Sequence, residues 1–313
     1  PKMAFFEGNC DGTIYRRCIN DRCPPAEDYR EREIRRFRSS GRDGFHLLAN
    51  RGKTVLDGCV SRFADDDGVN IHGSGQMVDR VEGSVVTLAD KSGRLVVREG
   101  EEVALVSFGG ERLGMAAIEK IEGGPAPTEE ILALWEKHMR RMTRPTRSWR
   151  VTLDRVVPGV ARGTFLYPPK RVGSDCVVRN CHFGHGRSRG ILVRGSDALI
   201  ENNVIEGNWQ KGIMITGEFH SLEGGFPSNV RIRNNRVESL RHEAIYAAFV
   251  NPFGEPAPAG LYRDYLIEGN TLRGGSHDLY LTSIDGVTLR DNRFPGEEPP
   301  VIELHNCEDV KRP

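Results

Sequence analysis

The stretch ALIENNVIEGNWQKGIMI, residues 198–215, contains the pattern that decides the fold. Apolar and polar residues alternate in ALIE and again in GIMI, which is typical of two short strands joined by a bend. The pattern recurs, and the bend is held by a cysteine or an asparagine: Cys18, Cys59, Cys181, Asn203, Asn235, Asn270 and Asn292. The steps from Cys181 to Asn203 and from Asn270 to Asn292 are both 22 residues. This repeat predicts an all-β fold, a right-handed parallel β-helix whose coils stack about 4.8 Å apart around an internal asparagine ladder.

An insertion interrupts the repeat. The step from Cys59 to Cys181 is 122 residues, far longer than one coil. Residues 77–106 are β-branched runs broken by Gly and Asp, which predicts hairpins of a small barrel or sheet. MAFFEG at residues 3–8 resembles the second strand of an earlier coil, so we expect further coils upstream. We therefore predict a β-helix made of residues 1–73 and 172–313 and an inserted β-rich subdomain of residues 74–171.

One helix is expected within the insertion, over PTEEILALWEKHMRRM at residues 127–142. Thr128 is a suitable N-cap, and two glutamates follow it in the first turn. Arg140 and Arg141 match the negative end of the helix dipole. The apolar residues of the stretch share one helical face, which indicates packing against the strands.

Charge and cysteine content exclude several classes of partner. Lys and Arg number 44, as do Asp and Glu, so the formal net charge is zero and favours neither nucleic acid nor an anionic membrane surface. No apolar run approaches the roughly 18 residues of a membrane span. The seven cysteines include no C-x-x-C pair and H-E-x-x-H is absent, so we expect no metal and no other cofactor. The oligomeric state stays open, with a homodimer among the options.

The second strand of each repeat carries a column of charged residues. Aligning these strands places six residues at one position: Asp43, Asp67, Arg189, Lys211, Glu243 and His277. Asp43 and Asp67 are 24 residues apart, which is one coil, and Asp66 lies beside them. Carboxylates packed together raise the pKa of at least one member, and an acid beside a base is what hydrolysis of a glycosidic bond requires. A solvated turn or a Ca²⁺ site at residues 65–67 is the alternative interpretation.

Other polar residues share this face of the predicted helix. His46, Asn70 and His72 lie on the strands that follow the acids, and we expect them to hydrogen-bond sugar hydroxyls. Arg187, Arg189 and Lys211 continue the face and are predicted to bind hydroxyls or to pair with the aspartates. The glycines that follow the column, Gly44, Gly68, Gly190 and Gly212, are expected to leave an open floor for a flat ligand.

One segment resembles a known enzyme family. SGRDGFHLLANRGKTVLDGCVSRFADDDGVNIHG, residues 40–73, is similar to the core of the family 110 glycoside hydrolases, which are β-helix enzymes. HGRSRGILVRG, ALIENNVIEGN and SNVRIRNNRVES fit the same family, so the resemblance covers most of the chain. It implies removal of terminal α-1,3-linked galactose with inversion, from a galactose-terminated glycan or oligosaccharide. It also implies a secreted or periplasmic protein.

The resemblance also implies roles for individual residues. Asp66 corresponds to the general acid, and Asp43 with Asp67 would hold and deprotonate the attacking water. Glu102, in GEEV of the insertion, corresponds to a further acidic residue near the family's site and is predicted to bind the substrate. EGG in the loop after Thr216 suggests Glu223 as a residue that contacts the sugar, with a solvated glutamate as the alternative. PPAEDYREREIRRFR, residues 24–38, is longer than the turn expected in that family and is predicted to change the pocket rim.

Three alternatives remain open from the sequence. The aspartates also resemble those of the polygalacturonase family, although Arg-Asp-Gly stands where that family has Asn-Thr-Asp and its Arg-Ile-Lys motif is not evident. Arg189 and Lys211 keep a β-helix polysaccharide lyase or epimerase possible, which would remove a proton next to a uronate carboxylate. A non-catalytic carbohydrate-binding β-helix is the third alternative.

Overall fold

The structure is a computed structural model that describes residues 2–23, 37–91, 93–139, 142–249 and 251–312. Most of the charged segment at residues 24–38 lies outside these ranges, and so do Arg140 and Arg141 at the predicted helix end. Three parallel sheets run along the stack of coils and are called sheets 1, 2 and 3 below. The prediction of a parallel β-helix with a small barrel and a helix is confirmed.

The strands of the sheets are short, as expected for a coil of this length. Sheet 1 contains, in spatial order, Phe5–Gly8, Phe45–Leu48, Val69–Ser74, Ile191–Val193, Ile213–Ile215, Ile245–Ala247, Leu279–Thr282 and Ile302–His305, and Glu223–Gly224 pairs with Val69–Ser74 in antiparallel fashion. Sheet 2 contains Ile14–Arg16, Thr54–Asp57, Cys176–Arg179, Ala198–Glu201, Ser228–Arg233, Tyr262–Glu268, Ile284–Arg290 and Glu308–Lys311. Sheet 3 contains Ile19–Asn20, Val60–Arg62, His182–Gly184, Val204–Asn208, Arg236–Ser239 and Thr271–Arg273.

The register of sheet 1 fixes where the charged column lies. Phe45 pairs with Val69, and Val69 pairs with Ile191, and all three side chains are fully buried in the core between the sheets. The column residues Asp43, Asp67 and Arg189 each precede one of these core residues by two positions. Their backbones continue the ladder, since Gly44 N donates to Asp67 O at 2.9 Å and the contact repeats one coil further on. The predicted column is therefore present in the fold.

The asparagine ladder is also present. Asn235 Oδ1 accepts the Asn203 N–H at 3.0 Å, and Asn270 Oδ1 accepts the Asn235 N–H at 2.9 Å. Each amide group also donates to a backbone carbonyl of a neighbouring coil, as Asn235 Nδ2 does to Ile200 O at 2.9 Å. These contacts pair backbone groups at a buried bend, where an unpaired N–H would be costly.

The insertion forms a closed antiparallel barrel with its own apolar core. Its strands are Gln76–Glu82, Val85–Ala89, Glu102–Val106, Arg112–Gly123, Ser148–Leu153 and Phe165–Tyr167. The helix α1 spans Glu129–His138, with the Thr128 hydroxyl accepting the Ile131 N–H, and a short 3₁₀ helix follows the barrel at Pro169–Arg171. No helix among the described residues is both long and apolar enough to cross a membrane. The domain boundaries given above stay a prediction.

Candidate active site

Asp43, Asp66 and Asp67 form a compact acidic cluster at the edge of sheet 1. One carboxylate oxygen of each lies within 4.8 Å of those of the other two. Asp43 and Asp67 are 4% and 1% exposed, whereas Asp66 is half-buried. Asp43 Oδ1 accepts the Asp67 N–H at 3.2 Å, and Asp67 Oδ1 lies 3.0 Å from Arg189 Nε. The fold thus joins two buried, anchored carboxylates with one that solvent can reach.

The three carboxylates strongly perturb one another. Burial, reinforced by the charge of Asp43, raises the pKa of Asp66 above its usual value. Burial also raises the pKa of Asp67, to about 8, although the Arg189 guanidinium opposes this shift. Because three charges at this separation repel, the cluster retains at least one proton near neutral pH. A proton held on Asp66 is the one that a ligand at the surface could accept.

His46 and His72 extend the cluster as a hydrogen-bonded chain. His46 Nδ1 lies 2.5 Å from Asp43 Oδ2, and His46 Nε2 lies 3.1 Å from His72 Nε2. His72 Nδ1 must donate to the Gly73 carbonyl at 3.0 Å, because a carbonyl only accepts. Burial lowers the pKa of His72 to about 4, so its Nε2 is unprotonated at neutral pH.

This chain fixes the proton on His46. Since His72 Nε2 accepts, His46 Nε2 must carry the hydrogen, as inferred from the hydrogen-bond network. His46 Nδ1 and Asp43 Oδ2 then share one further proton in their hydrogen bond. Asp43 therefore has a partner that can take up or return a proton without solvent.

A second ionic network lies beside His72. Arg194 is fully buried and contacts Glu218 at 2.9 Å, Glu223 at 3.0 Å and Asn70 Oδ1 at 3.2 Å. Burial opposes ionisation of Glu223, but the charge of the nearby Arg194 guanidinium outweighs it, and the pKa of Glu223 is lowered to about 2. Asn70 and Glu223 are therefore held in place by Arg194.

Sequence reasoning missed Arg194 and Glu218. Arg194 occupies the position of His72 in the next coil, so the alignment of second strands contained the signal for it. Glu218 belongs to the loop after Thr216, where no repeat gives a register. Asn70 and His72, which were expected to bind sugar hydroxyls, are 7% and 4% exposed, and Arg194 hydrogen-bonds Asn70.

The remaining predicted residues lie in separate ion pairs. Arg187 pairs with Asp65 at 3.0 Å and Lys211 pairs with Glu243 at 3.1 Å. Glu102 begins a barrel strand, is exposed, and pairs with Lys170 at 3.1 Å. Among the described ion pairs, none of these three residues joins the acidic cluster.

The glycine floor was predicted wrongly. A Cβ built on Gly68 would lie 2.5 Å from Gly190 O and 3.0 Å from the Phe183 side chain, inside the coil. A Cβ on Gly44 would meet Ser61 Oγ in the same way. These glycines are required because backbone and core approach closely, and they open no surface to a ligand.

Two cavities flank this face. One, of about 280 Å³, is lined by Thr216, Glu218, Phe219, His220 and Tyr246, among others. Aromatic walls with a few polar groups are common in small-ligand sites. The other, of about 500 Å³, includes His72 in its wall.

Comparisons with known proteins found a β-helix family model and two α-1,3-galactosidases that are similar to this chain. A family model described as "Right handed beta helix region" matches residues 170–254. Alpha-1,3-galactosidase B of Bacteroides thetaiotaomicron is 26% identical over 277 residues, covering 82% of this chain and 41% of the relative. Alpha-1,3-galactosidase A of Bacteroides fragilis is 24% identical over 303 residues, covering 87% of this chain and 46% of the relative. The chain thus spans less than half the length of these relatives.

Solved structures match this chain only at low similarity. The A-module of mannuronan C-5 epimerase AlgE4 from Azotobacter vinelandii matches with a TM-score of 0.37 at 12% identity, covering 94% of this chain and 56% of that one. The gp49 tailspike of Pseudomonas phage LKA1 matches with a TM-score of 0.29 at 10% identity, covering 85% and 47%. The sequence relatives are therefore the more informative comparison, and they lie among the α-1,3-galactosidases.

Proposed function

We propose that this chain is the catalytic β-helix of a glycoside hydrolase that releases α-linked galactose, with the α-1,3 linkage as its target. The observation that carries the proposal is the acidic cluster, in which one accessible carboxylate of raised pKa lies against two buried, anchored carboxylates. Similarity to α-1,3-galactosidases over 82% of the chain supports the choice of sugar.

In the proposed reaction, Asp66 is the general acid. It gives its proton to the glycosidic oxygen as the bond between that oxygen and the anomeric carbon breaks. A water attacks the anomeric carbon and gives a proton to Asp43, while Asp67 helps to hold the water. His46 is hydrogen-bonded to Asp43, and Arg189 holds the Asp67 side chain in place.

The burial of Asp43 and Asp67 is the basis for choosing between inversion and retention at the anomeric carbon. Separations of roughly 6.5 to 9.5 Å between the two carboxyl groups are usual for inversion and near 5 Å for retention. The spacing here, within 4.8 Å between chosen oxygens, is shorter than the inverting range. However, a direct nucleophile must touch the anomeric carbon, and Asp43 and Asp67 are at most 4% exposed. We therefore propose inversion through a water, and the anomer first seen by proton NMR decides between the two courses.

Two substrates with different leaving groups distinguish the general acid from the residues that activate the water. Asp66→Asn should lower kcat/KM on an α-1,3-linked galactobiose by about 10²- to 10⁴-fold, the usual contribution of a general acid. The loss should be much smaller on 4-nitrophenyl α-galactoside, because nitrophenolate departs without a proton. Asp43→Asn and Asp67→Asn should lower turnover of both substrates alike.

Asp65→Asn is the matched control, since this neighbouring acid pairs with Arg38 and Arg187 outside the cluster. It should retain near-normal turnover of both substrates. Absence of turnover on every α-galactoside would refute the substrate, and turnover that survives all three cluster substitutions would refute the mechanism. The lyase or epimerase alternative loses support, because Arg189 and Lys211 already have acidic partners.

A further inference from the structure

The larger cavity lies between the barrel and the first coils of the β-helix. It has a volume of about 500 Å³. On the β-helix side, Leu48 and His72 belong to neighbouring strands of sheet 1. On the other side, the wall comes from the connection between the barrel strands Val85–Ala89 and Glu102–Val106 and from Pro168 and Arg171. The residues of this connection in the wall are Lys91, Arg94, Leu95, Val96 and Arg98. The cavity therefore exists only where the insertion faces the coils that carry the acidic cluster.

The walls of this cavity are strongly basic. Four of its lining residues are cations, namely Lys91, Arg94, Arg98 and Arg171. Among the described residues of the lining there is no Asp or Glu. The chain as a whole has a formal net charge of zero, so this positive charge is local. A concave site lined by one sign of charge concentrates ligands of the opposite sign.

The internal partners of these cations leave a positive excess. Arg171 pairs with Glu101 at 3.0 Å and is 8% exposed. Lys91 Nζ donates to Ser74 Oγ at 3.0 Å and to Leu222 O at 2.9 Å. Burial lowers the pKa of Lys91 to about 8, although the nearby charges of Glu223 and Glu218 oppose the shift, so the positive excess rests on Arg94 and Arg98. Arg94 and Arg98 take part in none of the ion pairs found among the described residues, and both are exposed at the cavity.

The cavity also adjoins the acidic cluster. His72 lines the cavity and contacts His46 at 3.1 Å, and His46 contacts Asp43 at 2.5 Å. A single imidazole ring thus separates a wall of the cavity from the proposed base. A glycan bound at the cluster would reach the cavity with a substituent or with its next sugar.

We infer that this cavity binds an anionic group, a sulfate ester or a carboxylate, carried by the glycan substrate. Guanidinium groups match the planar and tetrahedral oxyanions of these substituents with paired hydrogen bonds. The inference rests on the proposed function for the glycan, and it predicts a preference for acidic galactose-containing glycans over neutral ones. It assigns Arg94 and Arg98 as residues that determine this preference, while neutral α-galactosides remain substrates.

Calorimetric titration tests this site without requiring turnover. The probes are galactose 6-sulfate, galacturonate, galactose and inorganic sulfate, each titrated into the wild-type chain at low and at high salt. Galactose 6-sulfate or galacturonate should bind at least about tenfold more tightly than galactose, the size of one charge-assisted hydrogen bond. Added salt should reduce that preference.

Variants assign the preference to residues. The double variant Arg94→Gln with Arg98→Gln should bind all three sugars equally, whereas Arg150→Gln should behave as wild type. Arg150 is a matched control, since it is a partly exposed barrel arginine paired with Glu82. Thermal unfolding of each variant verifies that it is folded.

Several results would overturn the inference. These are equal binding of the three sugars by the wild-type chain, an anion preference that survives the double variant, and inorganic sulfate binding as tightly as the sulfated sugar. Failure of the galactosidase assay is a separate result, because the titrations detect anion binding whether or not the chain hydrolyses a galactoside.

Discussion

Replacing Asn235 by alanine should strongly destabilise the β-helix, because this residue lies inside its ladder of asparagines. The side chain is 2% exposed and makes four hydrogen bonds, two with Asn203, one with Ile200 O and one with Asn270. Truncation removes the side-chain partners of the Asn203 N–H and of Ile200 O at a buried bend. At about 1–3 kcal/mol for each unsatisfied group, we expect a loss of about 2–6 kcal/mol.

Asn292→Ala is the control at the end of the same ladder. Asn292 accepts the Asn270 N–H at 3.1 Å and donates to Ile267 O at 2.7 Å, but it is only half-buried. Water can replace these bonds, so the loss should stay near the roughly 0.5–1.5 kcal/mol of an ordinary hydrogen bond. Asn235→Cys should fall between the two, because Cys181 Sγ already accepts the Cys59 N–H at 3.3 Å at an equivalent bend.

The assay should resolve local opening, since repeat proteins can unfold in parts. Hydrogen exchange followed by mass spectrometry reports on the segment that contains the Asn203 amide, and guanidinium unfolding followed by circular dichroism gives the global change. Asn235→Ala should speed exchange in that segment far more than Asn292→Ala does. Equal effects of the two substitutions would refute the claim that buried ladder bonds hold the coils together.

Three further predictions concern the site and its coils. His72→Phe should lower kcat/KM by about tenfold or more, because it removes the acceptor of the His46 N–H. His72→Gln should restore much of the lost activity, and equal losses in the two variants would exclude this positioning role. Asp67 is protonated more readily in the fold than in the unfolded chain, so wild type should lose stability relative to Asp67→Asn as pH rises from about 4 to about 8, measured by unfolding at each pH. Gly68→Ala should cost about 1–3 kcal/mol in an unfolding titration because its Cβ would meet a carbonyl at 2.5 Å, whereas Gly123→Ala, with open space around it, should be neutral.

The sequence predicted what the repeat controls and missed what the loops control. Asp43 and Asp67 could be placed together because a fixed period implies a fixed register, and the structure has that register. Lys91 and Glu218 could not be predicted, since they reach the site from the barrel and from a loop whose docking no period encodes. The error over Gly68 has a different cause: the bend before each strand directs its missing Cβ inward, and alternation along a strand does not describe a bend.

The charged column also explains why the chemistry belongs to one part of the solenoid. Further along the column, opposite charges cancel, as Lys211 pairs with Glu243 at 3.1 Å and His277 pairs with Glu303 at 3.1 Å. At Asp43, Asp66 and Asp67 three acids lie together, and Arg189 pairs with Asp67. The fold gives every coil nearly the same backbone, so geometry alone would favour no coil. Burial, reinforced by the charge of Asp43, raises the pKa of Asp66 in this place, and in the proposed mechanism this carboxyl group provides the proton that hydrolysis requires.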